Sequence, residues 1–207
     1  ALTDMIDRDK NHPSVIGWSL LNEPQCTSAG TEEYFKPLFE LARRLDPQKR
    51  PRTYTVLMTS LPDTSKGQRF ADFVSLNRYY GWYNLSGDLD NASYAFRQEL
   101  DFWKGIDKPL ILSEYGADTV AGLHGVAPEM FTEEFQVEYY KAINACLDSY
   151  AFVVGEWPWN FADFSTQQGP MRVGSCNRKG LFTRERTPKQ AAHYFRDRWA
   201  KKQPNDR

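Results

Sequence analysis

The chain has 207 residues and a formal net charge of −1, enough length to bury one sizeable core but without the cationic excess expected of a nucleic-acid or polyanion binder. No apolar run approaches membrane-spanning length; no secretory leader is seen, but Ala1 is not a natural start and the sequence opens mid-helix, so the true amino terminus is expected further upstream. Aromatic residues make up 14% of the chain, with six Trp and eleven Tyr, which suits stacking on sugars as well as a generous core. Cys26, Cys146 and Cys176 are odd in number and lack metal-ligand spacing, which predicts free thiols in a reducing compartment.

Leu2, Met5 and Ile6 recur at helical spacing, and Asn11-His12-Pro13 ends that helix. Residues 15–21 form an apolar run that predicts a strand buried on both faces. Pro24 has no N–H for a ladder and biases Glu23 away from helix, so the strand stops at Asn22-Glu23. Thr31 is positioned to cap a helix over 31–45, with Phe35, Leu38, Ala42 and Leu45 on one face. Strands are predicted at 54–58 and 73–77, then a helix over 91–104 that turns Ala92, Phe96, Leu100 and Trp103 inward. A fourth strand, 109–114, ends on Glu114, and Thr132 caps a long helix over 132–150. A fifth strand spans 152–157, and Thr187-Pro188-Lys189-Gln190 reads as a capping box opening the last helix, which carries Ala191, Ala192, Phe195 and Trp199.

Strands alternating with helices imply parallel βαβ units. No glycine-rich phosphate loop follows any strand, so a nucleotide-binding open sheet is disfavoured. In a barrel every strand end faces one shared pocket, and Glu23 and Glu114 sit at two such ends. The fold expected is therefore an α/β (β/α)8 TIM barrel that is incomplete, about the last five βα units, with residues 1–207 forming one domain. Two convergent carboxylates among aromatic and amide groups suit glycoside hydrolysis, one as acid and the other as base or nucleophile. His12, His124 and His193 are too scattered for a metal set, and no G-x-S-x-G elbow is present. On the residues alone, a strand-end salt bridge stays an alternative for each glutamate, and a solvated loop charge for Arg172 and Lys179.

Asn22-Glu23-Pro24, Asn77-Arg78-Tyr79-Tyr80-Gly81-Trp82-Tyr83 and Ser113-Glu114-Tyr115-Gly116-Ala117-Asp118 resemble the catalytic barrel of family 2 glycoside hydrolases. Gly122-Leu123-His124, Trp159-Asn160-Phe161-Ala162-Asp163-Phe164 and Asn177-Arg178-Lys179-Gly180 narrow the resemblance to the β-glucuronidases of that family. It runs from about Met5 to Trp199. It implies a retaining mechanism with Glu23 as acid/base and Glu114 as nucleophile. It also implies that Asn22 binds the sugar 2-hydroxyl, Tyr79 restrains the nucleophile, and Tyr83 and Trp159 line the sugar subsite. Asn177, Lys179 and Arg172 would hold the C6 carboxylate, where a neutral galactose or mannose would leave the cations unpaired. No cofactor and no metal is implied. The expected partner is a small-molecule glucuronide or a glucuronide-terminated oligosaccharide, with no nucleic acid and no membrane.

Two departures from the family pattern stand out: an extra residue at Ser175-Cys176, and the absence of three βα units and preceding β-sandwich domains. The first is expected to shift how the Asn-x-Lys pair is presented, and the second predicts the C-terminal portion of a larger enzyme; the resemblance implies a homotetrameric parent, cytoplasmic in a bacterium or lysosomal in a eukaryote. Alone, that portion is expected to be weakly active or aggregation-prone. A β-galactosidase, a β-mannosidase or a non-catalytic sugar-acid binder is the alternative. His124 and Asp163 are left as residues that orient neighbours or cap turns.

Overall fold

The computed structural model describes residues 1–202. Its elements run α1 (Leu2–Asp9), β1 (Trp18–Asn22), α2 (Thr31–Leu45), β2 (Arg52–Val56), β3 (Val74–Asn77), α3 (Leu89–Lys104), β4 (Leu110–Glu114), α4 (Glu133–Leu147), β5 (Val153–Glu156), β6 (Phe164–Ser165), β7 (Cys176–Asn177) and α5 (Gln190–Lys201). The chain forms two compact units. The first comprises Ala1–Arg78, Glu99–Ser113 and Phe152–Glu156; the second comprises Tyr79–Gln98, Glu114–Ala151 and the chain from Trp157 onward.

The first unit carries a five-stranded sheet in the order β1-β2-β3-β4-β5, parallel in its β1–β2, β2–β3 and β4–β5 pairs. Every residue of β2 and β3 is buried, as expected for parallel strands covered on both faces. β1 departs from that expectation. It begins at Trp18 rather than at residue 15, Ile16 is exposed, and of its five residues only Trp18 is buried. Lying at the end of the sheet order, β1 has a partner on one side only, so its residues are not enclosed as those of β2 are. Its inward side chains pack with α1 and α2: Ile6, Trp18 and Ala42 form a cluster bordered by Leu2, Met5, Val15, Leu20 and Leu45. Under that cluster the Asp46 carboxylate accepts from Trp18 Nε1 at 2.9 Å and pairs with Arg50 Nε at 3.0 Å.

The second unit is built around aromatic rings. Tyr115, Tyr140 and Phe195 stack edge to face at centroid spacings of 5.4 and 4.7 Å, joining the segment after Glu114 to α4 and α5. Thr132 caps α4 as expected, its hydroxyl accepting from the Phe135 N–H at 3.1 Å. The other two caps differ from expectation. The N-cap of α2 is Gly30, with a φ of 80°, and Thr31 instead donates to the Ser28 carbonyl at 2.8 Å. The capping box at Thr187 does not form. The N-cap of α5 is Lys189, and the Gln190 N–H is taken by the Glu133 carboxylate of α4 at 2.7 Å. A tertiary partner thus replaces the local one, because the Lys189 side chain is drawn into the interior. On α5, Ala191 and Phe195 are buried, while Trp199 on its last turns is 44% exposed.

Candidate active site

In the first unit the pairing of β1 with β2 shifts between Ser19 and Asn22, and the strand ends as predicted. Glu23 then takes a φ of 47°, a left-handed conformation that costs a non-glycine residue about 1–2 kcal/mol, rather than the extended one favoured before proline. Its N–H still donates to the Thr55 carbonyl at 3.0 Å. The carboxylate is held by Asn77, whose Nδ2 donates to Glu23 Oε1 at 3.0 Å and reaches Asn22 Oδ1 at 3.4 Å. Asn77 is completely buried at the end of β3. Its Oδ1 accepts from Ser113 Oγ at 3.0 Å, and Ser75 Oγ meets Ser113 Oγ at 2.8 Å. Small hydroxyls at the same level of neighbouring strands thus fix the amide, and the amide fixes the carboxylate.

Glu114 lies in the second unit, where Tyr79 donates its phenol to Glu114 Oε2 at 2.8 Å. Burial and the adjacent Glu114 charge push the Tyr79 hydroxyl well above its ordinary range, so it is a proton donor at any physiological pH. The predicted carboxylate-binding residues gather in the same unit around a residue not singled out in the sequence, Asp118. Lys179, with no exposed surface, pairs through Nζ with Asp118 Oδ2. Its ammonium also lies 4.8 Å from the Tyr83 ring centroid, 5.2 Å from that of Trp82 and 5.8 Å from that of Tyr79. Arg172 approaches Asp118 Oδ2 at 3.6 Å and donates to Tyr83 Oη at 3.0 Å. Asn177 Oδ1 accepts the Lys179 N–H at 3.2 Å.

At Ser175-Cys176, where the family pattern has one residue fewer, the chain makes a tight turn. Gly174 and Ser175 both take positive φ, 66° and 52°, and the Ser175 N–H returns to the Arg172 carbonyl at 3.0 Å, so the additional length is absorbed in a turn. β7 then pairs Asn177 with Phe164 of β6. Trp159 packs edge to face against Phe164 at 6.1 Å.

A second buried pair presents the 177–180 segment. Lys189 Nζ donates to Asp163 Oδ1, the Arg178 carbonyl and the Thr119 carbonyl, all at 2.9 Å, and Asp163 Oδ1 also accepts the Gly180 N–H at 2.9 Å. Asp163 therefore does orient its neighbours, which was one of its two open readings. His124 is 55% exposed at the side chain and pairs with Glu134 at 2.9 Å on the surface. Among the described residues no three His, Cys, Asp or Glu side chains gather to hold a metal ion, and no helix is long and apolar enough to cross a membrane.

The family model for the TIM barrel domain of family 2 glycosyl hydrolases matches residues 1–203. This chain belongs to that family. Its five-stranded sheet, with helices in all but the β2–β3 connection, is accordingly part of a (β/α)8 barrel; Glu114 ends β4 and Glu23 directly follows β1, the strand ends at which such barrels carry their sites. A β-glucuronidase of Streptococcus agalactiae is 47% identical over 201 residues, covering 96% of this chain and 33% of that protein. The solved β-glucuronidase of Faecalibacterium prausnitzii is 54% identical with a TM-score of 0.92, covering 96% of this chain and 33% of that one. A β-glucuronidase of Ruminococcus gnavus solved with D-glucuronic acid is 48% identical with a TM-score of 0.92, over 96% of this chain and 35% of its own. The chain therefore spans about a third of the length of these family 2 relatives.

Proposed function

We propose that the chain carries the reaction centre of a retaining β-glucuronidase acting on terminal β-D-glucuronides, free or at the end of an oligosaccharide. The observation that carries this reading is the cationic cluster of Lys179 and Arg172 in the same unit as the Tyr79-bonded carboxylate of Glu114. A uronic acid needs both: a carboxylate for its anomeric carbon and fixed cations for its C6 anion. Relatives named as β-glucuronidases, one of them holding D-glucuronic acid, support the same reading.

In the proposed reaction Glu114 attacks the anomeric carbon while Glu23 gives its proton to the aglycone oxygen, leaving a covalent glucuronyl ester on Glu114. Glu23, now a carboxylate, takes a proton from water as that water displaces the ester, and glucuronic acid leaves with β configuration. This requires the two carboxyl groups about 5–5.5 Å apart in the working enzyme. Asn77 holds Glu23 through one oxygen, consistent with leaving the other for the transferred proton. Asn22 and Tyr83 are assigned to the sugar hydroxyls, Trp159 to the sugar face, and Asn177 with Arg172 and Lys179 to the C6 carboxylate.

The discrimination against neutral sugars needs one correction. Lys179 is not left bare when no anion is bound, because Asp118 already pairs with it. What favours the uronic acid is the single positive charge remaining on the cluster. The free thiols Cys26, Cys146 and Cys176 fit a reducing, cytoplasmic setting.

The test is turnover of an aryl β-D-glucuronide beside the matching β-galactoside and β-mannoside, with the first-formed sugar followed by proton NMR. The expected outcome is preference for the glucuronide by at least about a hundredfold and initial release of the β anomer. Preference for a neutral glycoside, or initial release of the α anomer, would contradict the proposal.

A further inference from the structure

Asp118 is 2% exposed, carries no assigned part in the proposed reaction, and pairs with both cations of the sugar-acid site. One oxygen, Oδ2, meets Lys179 Nζ and lies 3.6 Å from Arg172 NH1. The other, Oδ1, accepts the Arg178 N–H at 2.8 Å, which ties the carboxylate to the backbone between Asn177 and Lys179. A lysine with no exposed surface and three aromatic rings about its ammonium has no water to solvate it, so its charge and its direction depend on a fixed anion. Arg172 gains its second anchor from the Tyr83 hydroxyl, so the two cations converge on one carboxylate oxygen from different segments of the chain.

We infer that Asp118 is the positioning residue of the sugar-acid site: it locks Lys179 and Arg172 into one cluster whose residual single positive charge matches a single C6 carboxylate. Two cations alone would repel at this spacing and present a double charge suited to a dianion such as a phosphate. With Asp118 between them, they form a monoanion receptor built before the ligand arrives. Pre-organisation of this kind lowers the ordering cost of binding and acts on the charged ligand only. The inference rests on the glucuronidase reading above.

The test compares the parent protein with Asp118→Asn and Asp118→Glu, using two iminosugar inhibitors that differ only at C6, one a carboxylate and the other a hydroxymethyl. In Asp118→Asn the inhibition constant of the carboxylate compound should rise about thirtyfold or more, while that of the hydroxymethyl compound moves by less than about threefold. The KM of an aryl glucuronide should rise in parallel, with kcat changed far less, and Asp118→Glu should recover part of the loss. Equal weakening of both inhibitors would reduce Asp118 to a structural residue and overturn the inference. So would tighter binding of the carboxylate compound, which would mean that Asp118 competes with the ligand. Where Asp118→Asn fails to fold, Asp118→Glu decides alone: selective weakening of the carboxylate compound supports the inference, and an unchanged ratio sinks it. If the parent protein itself shows no preference for the carboxylate compound, the glucuronidase reading fails first and takes this inference with it.

Discussion

Glu23 and Glu114 each depend on one neutral donor, Asn77 for the first and Tyr79 for the second, and the two donors are two positions apart in a single motif. The glutamates were legible in the sequence because a carboxylate ending an apolar strand is an unusual pattern. Asn77 and Asp118 were harder to see. Each belongs to a motif that marks the family, but a buried amide or carboxylate becomes a site residue only once its partners are known, and those partners lie more than 35 positions away. A buried carboxylate also governs behaviour away from the site. Burial alone would raise the Asp46 carboxyl, yet its bonds to Arg50 and Trp18 more than offset that and hold it well below the ordinary range. A depressed acid stabilises the fold fully above its unfolded value, near 4, and this contribution is lost as pH falls through the folded value. Thermal melts should therefore show stability declining from about pH 5 downward, with Asp46→Asn giving a lower but flatter profile. A variant whose acid dependence equals that of the parent would show that Asp46 is not the group responsible.

Among the elements, β3 and its continuation do the most to support the glutamates. Arg78, directly after the strand, is 1% exposed and pairs with Glu99 of α3 at 2.6 Å, while its remaining N–H groups go to the carbonyls of Val56, Leu57, Ser60 and Asn77. Its planar fork satisfies the open carbonyls past the ends of β2 and β3, which a lysine could not do. Arg78→Met should cost about 3–5 kcal/mol, because it strands the Glu99 carboxylate and several buried carbonyls at once. Urea denaturation would read this as a shift in midpoint; a shift below about 1 kcal/mol would contradict the role given to Arg78. Helix and strand order was readable from periodicity, since α2 and α4 keep their apolar stripes. Helix starts were less so. Local chemistry at Thr187 promised a capping box, but the Lys189 amine found three oxygens in the interior and the Glu133 carboxylate took over the cap. Gly180 shows the same dominance of packing over local preference: a β-carbon there would collide with the Asp163 backbone nitrogen and the Phe182 carbonyl oxygen. The glycine of Asn177-Arg178-Lys179-Gly180 is therefore what lets Lys179 turn inward.

At the scale of the molecule, strands mostly alternating with helices and the two strand-end glutamates pointed to an incomplete barrel with paired carboxylates, and the motifs around them carried the resemblance to family 2. β1 was the misread strand, because an apolar stretch does not reveal whether a neighbour covers both of its sides. The charge balance around Lys179 was also hidden, since loop cations look alike in a sequence until one is found fully buried against Asp118. The central claim is that Glu114 carries the sugar as a covalent ester. A 2-deoxy-2-fluoro-β-glucuronyl fluoride tests it most directly, because the fluorine slows both chemical steps while the good leaving group lets the first one proceed. After incubation and proteolysis, mass spectrometry should find one fluoroglucuronyl group per chain, on the peptide containing Glu114. A label on Glu23 or any other side chain, or none in a preparation that turns over aryl glucuronide, would contradict the account.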